Sequence, residues 1–113
     1  MSKVRLYIAG PITGITGAKD NFYEAEETIT LGYGFDEVVN IYNHVEERPE
    51  KTWADYMAET FAILVTCNAM VMLDGWEESK GAMIEYHAAS VLGWPIYIYT
   101  KEDGKVTKYQ GKM

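Results

Sequence analysis

The amino-acid sequence predicts a small doubly wound α/β domain, flavodoxin- or Rossmann-like, with a parallel sheet of four or five strands and helices on both faces. Three observations carry that expectation. Apolar runs of strand length alternate with longer amphipathic stretches, the order that gives parallel strands joined by right-handed crossovers. The run Ala69 to Leu73 (AMVML) is continuously apolar, as expected of a strand covered on both faces. The chain has 113 residues, about one domain's worth, and 48% of them are hydrophobic, enough for one core without disulfide or metal staples. A single domain over residues 1–113 is expected.

Each element has its own signal. Val4 to Ala9 mixes branched and aromatic residues and stops at Gly10-Pro11, since proline cannot continue a central ladder. Asn21 to Leu31 turns helical, with Phe22, Ala25 and Ile29 at spacings of three and four and Gly32 and Gly34 as stop signals. Val38 to Ile41 reads as a second short strand, followed by a charged loop from Glu46 to Thr52. Trp53, Met57, Phe61 and Leu64 place one apolar stripe on a helix running to about Thr66. The third strand ends at Asp74-Gly75, a turn signal. A helix from Ser79 to about Leu92 follows, stopped by Gly93 and Pro95, and Ile96 to Tyr99 (IYIY) is the last clear strand. The polar tail from Thr100, with a turn at Asp103-Gly104, suits a small hairpin or a contact with a partner subunit.

Charge and cysteine content exclude several classes. Ten basic residues against 17 acidic ones give a net charge of -7. A nucleic-acid polymer is normally bound by clustered Lys and Arg, and here the only arginines are Arg5 and Arg48. A phosphate, if bound, is therefore expected to be small and held mostly by backbone amides. One cysteine, Cys67, and two histidines, His44 and His87, supply neither an intrachain disulfide nor a Cys/His metal cluster. No metal and no cofactor are expected. Neither a signal peptide nor a stretch of membrane-spanning length is seen, so a cytoplasmic protein with no membrane partner is expected.

In doubly wound sheets ligands sit beyond the carboxyl ends of the strands where strand order reverses. That singles out the loops Gly10 to Lys19 and Asp74 to Ser79. The first, with Gly10, Ile12, Thr13 and Gly14, offers small residues and backbone amides but lacks both the dinucleotide fingerprint and the lysine of a P-loop. In the second, Asp74, Gly75 and Trp76 lead to Ser79, Lys80 and Gly81. Ser79 and the amides after it suit an anion at a helix N-terminus, or Ser79 simply caps its own helix. Glu85 lies on a helical strip of small residues, Gly81, Ala82, Ala88 and Ala89, that packs close to the sheet. A carboxylate facing an apolar layer must be paired, hydrogen-bonded or raised in pKa, a setting that suits a nucleophile or proton-transfer group. Tyr7, in the first strand, is placed to reach the same cleft. His87 reads as a surface residue, whereas His44 follows a strand that could border the cleft.

The segments LYIAGPITG (residues 6–14) and CNAMVMLDGWEESKGAMIEYHAASVLGWPIY (residues 67–97) resemble the nucleoside 2-deoxyribosyltransferase superfamily, closest to a small branch from bacteria and phages. Deoxynucleoside 5'-monophosphate N-hydrolases are further relatives. A serine six residues before a glutamate, with glycine between, matches the motif in Ser79, Gly81 and Glu85. The resemblance implies that Glu85 attacks C1' of a 2-deoxyribose, that Tyr7 orients it, and that Ile12, Thr13, Gly14, Ser79 and Gly81 cradle a phosphate. It also implies a homodimer or higher oligomer, for which the IYIY strand and the tail are candidate contacts. The sequence departs from the family at Thr60, where relatives carry an acid that protonates the leaving base, and at Asn68, where they tend to carry Asp; Asp74 is the candidate substitute acid. The expected activity is deoxyribosyl transfer to a second base or hydrolysis of the N-glycosidic bond. Loss of the acid leaves a non-catalytic nucleotide-binding protein as the alternative.

Overall fold

The computed structural model describes residues 3–109. β1 (Arg5–Ala9) runs through the centre of a five-stranded sheet of order β2-β1-β3-β4-β5, with β2 (Glu37–Val39), β3 (Ala69–Met72), β4 (Ile96–Thr100) and β5 (Lys105–Lys108). The first four strands are parallel and β5 is antiparallel to β4. Three helices connect them: α1 (Ala18–Gly32), α2 (Trp53–Leu64) and α3 (Lys80–Val91). α1 packs on β2, whereas α2 and α3 pack on each other and α3 lies on β1 and β3. Right-handed crossovers place α1 on one face of the sheet and the α2/α3 layer on the other. The expected doubly wound fold is thus present, with an antiparallel fifth strand at one edge.

Local chemistry sets the boundaries. α1 begins at Ala18, three residues earlier than the apolar spacing suggests, and buries Ala18, Phe22, Ala25 and Ile29. β2 ends at Val39 rather than reaching Ile41, because the buried Asn40 accepts a hydrogen bond from the Tyr42 amide and turns the chain into a 3₁₀ turn, Ile41–Asn43. Thr52 and Asp55 form a reciprocal capping box that starts α2. The buried line of α2 is Thr60 and Leu64, not the Trp53-to-Leu64 stripe read from spacing. Trp53 is 49% exposed on the first turn, and the polar Thr60 is the residue that faces the sheet.

β4 is an interior strand, flanked by β3 and by β5 of the tail hairpin. Both of its hydrogen-bonding edges are therefore taken, so it is closed to strand pairing with another chain. The hairpin is tied to α1 by Lys101, which donates to Asn21 Oδ1 at 2.8 Å, and by Tyr33, which accepts from the Val106 amide at 2.8 Å. The end of the tail, residues 110–113, lies outside the described residues. Among the described residues no helix is long and apolar enough to cross a membrane.

Candidate functional site

The strand order reverses between β1 and β3, so the switch point lies at their carboxyl ends. The loops leaving those strands touch. The Leu73 amide donates to the Ala9 carbonyl at 2.8 Å, extending the ladder by one bond. Gly10 then passes so close that a Cβ there would stand 2.9 Å from Leu73 Cβ, so glycine is required by the approach of the two chains. Gly75 turns with φ 86°, a left-handed conformation, beside Pro11.

Below this junction lies the central pair. Tyr7 is fully buried in β1, and its hydroxyl donates to Glu85 Oε2 at 2.6 Å. Glu85, 6% exposed, sits six residues into α3 from its Ser79 cap, about 9 Å along the helix axis. No fully buried side-chain polar atom lacks a partner among the described residues, and Oε1 of Glu85 accepts no hydrogen bond there. It is therefore the oxygen that keeps contact with solvent. Burial pushes the Glu85 carboxyl up to about 7, against the pull of the hydrogen bond from Tyr7 and of the nearby Thr60 hydroxyl. Burial, reinforced by the neighbouring carboxylate, raises the Tyr7 phenol well above its ordinary value, so it stays protonated and donates. Thr60, buried on α2, completes the group: its hydroxyl donates to the Met57 carbonyl at 3.1 Å and lies beside both Tyr7 and Glu85.

The remaining sequence candidates divide. Ser79 caps α3, accepting from the Ala82 amide at 3.2 Å, and is half-buried at the wall of a surface pocket of about 340 Å³ shared with Trp53 and Lys80. Gly81, one turn above Glu85, lies against Met57 Sδ, where a Cβ would come within 3.3 Å. Ile12, Thr13 and Gly14 are exposed in the loop after β1. Asp74 is exposed and accepts from the Lys101 amide at 3.2 Å. Trp76 is buried and packs on Tyr86 and Tyr109, with ring centroids 5.0 and 5.7 Å away, which makes it part of an aromatic cluster. His44 and His87 are both exposed. Asn68 lies at the opposite, amino end of the sheet, where it accepts from the Arg5 amide at 2.8 Å and donates to the Lys3 carbonyl at 2.7 Å.

The described residues thus bring together a buried carboxyl and the phenol that holds it. The family known as DUF4406, a domain of unknown function, matches residues 4–98. The chain belongs to that family. No curated protein matches it. The matched region of this DUF4406 chain runs from the start of β1 into β4 and so contains Tyr7, Thr60 and Glu85 together with both loops. Of these, the burial of Thr60 is the feature that polar/apolar counting missed; its position four residues before the buried Leu64 is the signal that places it on the sheet-facing line.

Proposed function

We propose that this chain cleaves or exchanges the N-glycosidic bond of a 2-deoxynucleoside or its 5'-monophosphate, with Glu85 as nucleophile and Tyr7 orienting it. The observation that carries the reading is the buried 2.6 Å hydrogen bond from Tyr7 to Glu85 Oε2, which leaves Oε1 free. A pKa of about 7 keeps a large fraction of Glu85 ionised near neutral pH while making it more basic than a solvated carboxylate. An oxocarbenium-like transition state suits attack by such a carboxylate.

In the first step an Oε1 lone pair bonds to C1' as the C1'–N bond breaks, its electron pair leaving with the base, which takes up a proton from solvent water. In the second, water attacks C1', loses a proton and frees Glu85; a second base in place of water gives transfer. The reaction draws on no metal or cofactor. The resemblance to the nucleoside 2-deoxyribosyltransferase superfamily supports this assignment, as does the placement of Ser79 at the head of the helix that carries Glu85. On this reading the partners are a small nucleoside or nucleotide and a second copy of the chain, and the 5' group sits among Ile12, Thr13, Gly14, Ser79 and Gly81.

A second reading, a nucleotide-binding protein without catalysis, is favoured by the direction of Asp74 towards Lys101 and by Thr60, which is no acid. Incubation with a panel of deoxynucleosides and monophosphates, with free base followed by chromatography, separates the two. Release that disappears in Glu85→Ala supports the enzyme. Thermal stabilisation by a nucleotide with no release from any candidate supports the binder.

A further inference from the structure

Glu85 is a buried carboxyl with no cation beside it. Among the described residues the ion pairs join Arg5, Arg48 and Lys51 to other carboxylates, and none reaches Glu85. Its polar company is a phenol and a threonine hydroxyl whose protons are already placed. Tyr7 donates to Glu85 Oε2 at 2.6 Å, and Thr60 donates to the Met57 carbonyl at 3.1 Å. A buried charge is normally paired. Here the oxygen that keeps contact with solvent, Oε1, is left for a ligand to meet.

The charge of the chain is concentrated at the end of the sheet where α3 begins. Connections 10–17, 40–52, 73–79 and 101–104 leave the carboxyl ends of β1, β2, β3 and β4. Together they hold eight acidic residues, all exposed, against three basic ones, which is -5 of the chain's -7. All three cations are engaged: Arg48 with Glu46 and Glu50, Lys51 with Glu59, and Lys101 with Asn21 Oδ1. The first helical turns at that end add Lys19, Asp20, Asp55 and Lys80, which cancel. At the opposite end, connections 33–36, 65–68 and 92–95 contain one charged residue, Asp36.

We infer that the substrate is a nucleoside whose base carries a positive charge, a pyridinium or N7-alkylpurine N-glycoside, bound as the counter-ion of Glu85. This substrate class presupposes that Glu85 attacks C1'. A cation supplies the countercharge that the fold omits, and an acidic mouth raises its local concentration. It also removes the need for a proton donor. A neutral base leaves with an electron pair that must be protonated, and a positioned acid contributes about 10²–10⁴-fold to such a step. With a cationic base, Oε1 bonds to C1' while the C1'–N bond breaks, and the electron pair neutralises the ring, so the base departs uncharged and takes up no proton. Water then attacks C1', passes its proton to solvent and frees the carboxylate.

The test follows base release by the full chain from N7-methyl-2'-deoxyguanosine, nicotinamide 2'-deoxyriboside and 2'-deoxyguanosine, each corrected for spontaneous loss. A cationic substrate is expected to exceed 2'-deoxyguanosine by at least about 100-fold in kcat/KM, and the faster of the two cations identifies the ring. Calorimetry of carbocyclic analogues, which resist cleavage, adds a readout independent of turnover. A cationic analogue is expected to bind at least about tenfold tighter than its uncharged isostere, a preference that Glu85→Gln removes. Cationic and neutral substrates cleaved within about tenfold of each other overturn the inference and leave the N-glycosidase reading standing; this comparison needs no variant. A binding preference that Glu85→Gln abolishes, without release from any substrate, sinks the catalytic reading and supports the cation site. Equal binding of charged and uncharged analogues, or a preference unchanged in Glu85→Gln, overturns the cation site itself.

Discussion

Glu85→Gln separates the charge of Glu85 from its shape. The amide keeps an oxygen that accepts from Tyr7 but cannot ionise. In the wild type the folded carboxyl titrates at about 7 against an ordinary 4.5. The folded state therefore binds this proton more tightly than the unfolded chain. Stability is full below pH 4.5, falls as pH rises through the interval, and is flat above about 7. A shift of that size corresponds to about 3 kcal/mol once both states are ionised, of which about 2.5 kcal/mol is lost between roughly pH 5 and pH 8. The advantage of Glu85→Gln over wild type should grow by that amount across this window, on the order of 10 °C in melting temperature for a domain of this size. Urea denaturation of both proteins at the two pH values measures it, and taking the difference cancels every other titrating group. A stability gap that is the same at pH 5 and pH 8, or that shrinks as pH rises, refutes the argument that burial dominates at Glu85.

Further substitutions probe the parts around the pair. Tyr7→Phe removes the donor to a buried carboxylate and should destabilise the fold at pH 8 by about 1.5–3 kcal/mol, with a smaller loss at pH 5; equal losses at the two pH values contradict a bond to the ionised form. Gly10→Ala forces a Cβ to within 2.9 Å of Leu73 Cβ and should cost about 1–3 kcal/mol, read in the same denaturation experiment, where wild-type stability would refute the close approach. Asn68→Ala should lower stability by about 1–2 kcal/mol, by loss of its bonds to Arg5 and Lys3, and leave base release per folded molecule unchanged. Ser79→Ala should weaken a 5'-monophosphate more than the nucleoside in a thermal-shift titration, and equal effects on both remove Ser79 from the phosphate site.

Much of the fold was legible because its signals are local. Gly10-Pro11 and Asp74-Gly75 end strands for steric reasons that hold in any context, and Ser79 caps α3 as its side chain dictates. The strip of small residues around Glu85 also marks a carboxyl that is largely buried, since small side chains let the helix pack close to the sheet. What was not legible depends on contacts far apart in the chain. Thr60 looks polar in a helical count, yet it faces the sheet beside Tyr7 and Glu85. Asp74 follows β3 as a site residue should, but the left-handed turn at Gly75 and the arrival of the β4–β5 hairpin give its carboxylate to the Lys101 amide. Trp76 meets Tyr109, a partner that only the returning tail supplies. The interior position of β4 has the same cause: a polar tail folded back as β5 and took the edge.

Mass spectrometry of the protein quenched during turnover of a deoxynucleoside tests the central claim most directly. A nucleophilic Glu85 predicts one deoxyribosyl group in ester linkage, mapped to the peptide containing Glu85 and absent from Glu85→Gln. Base release by Glu85→Gln at the wild-type rate, or an adduct mapped to any other residue, would contradict it.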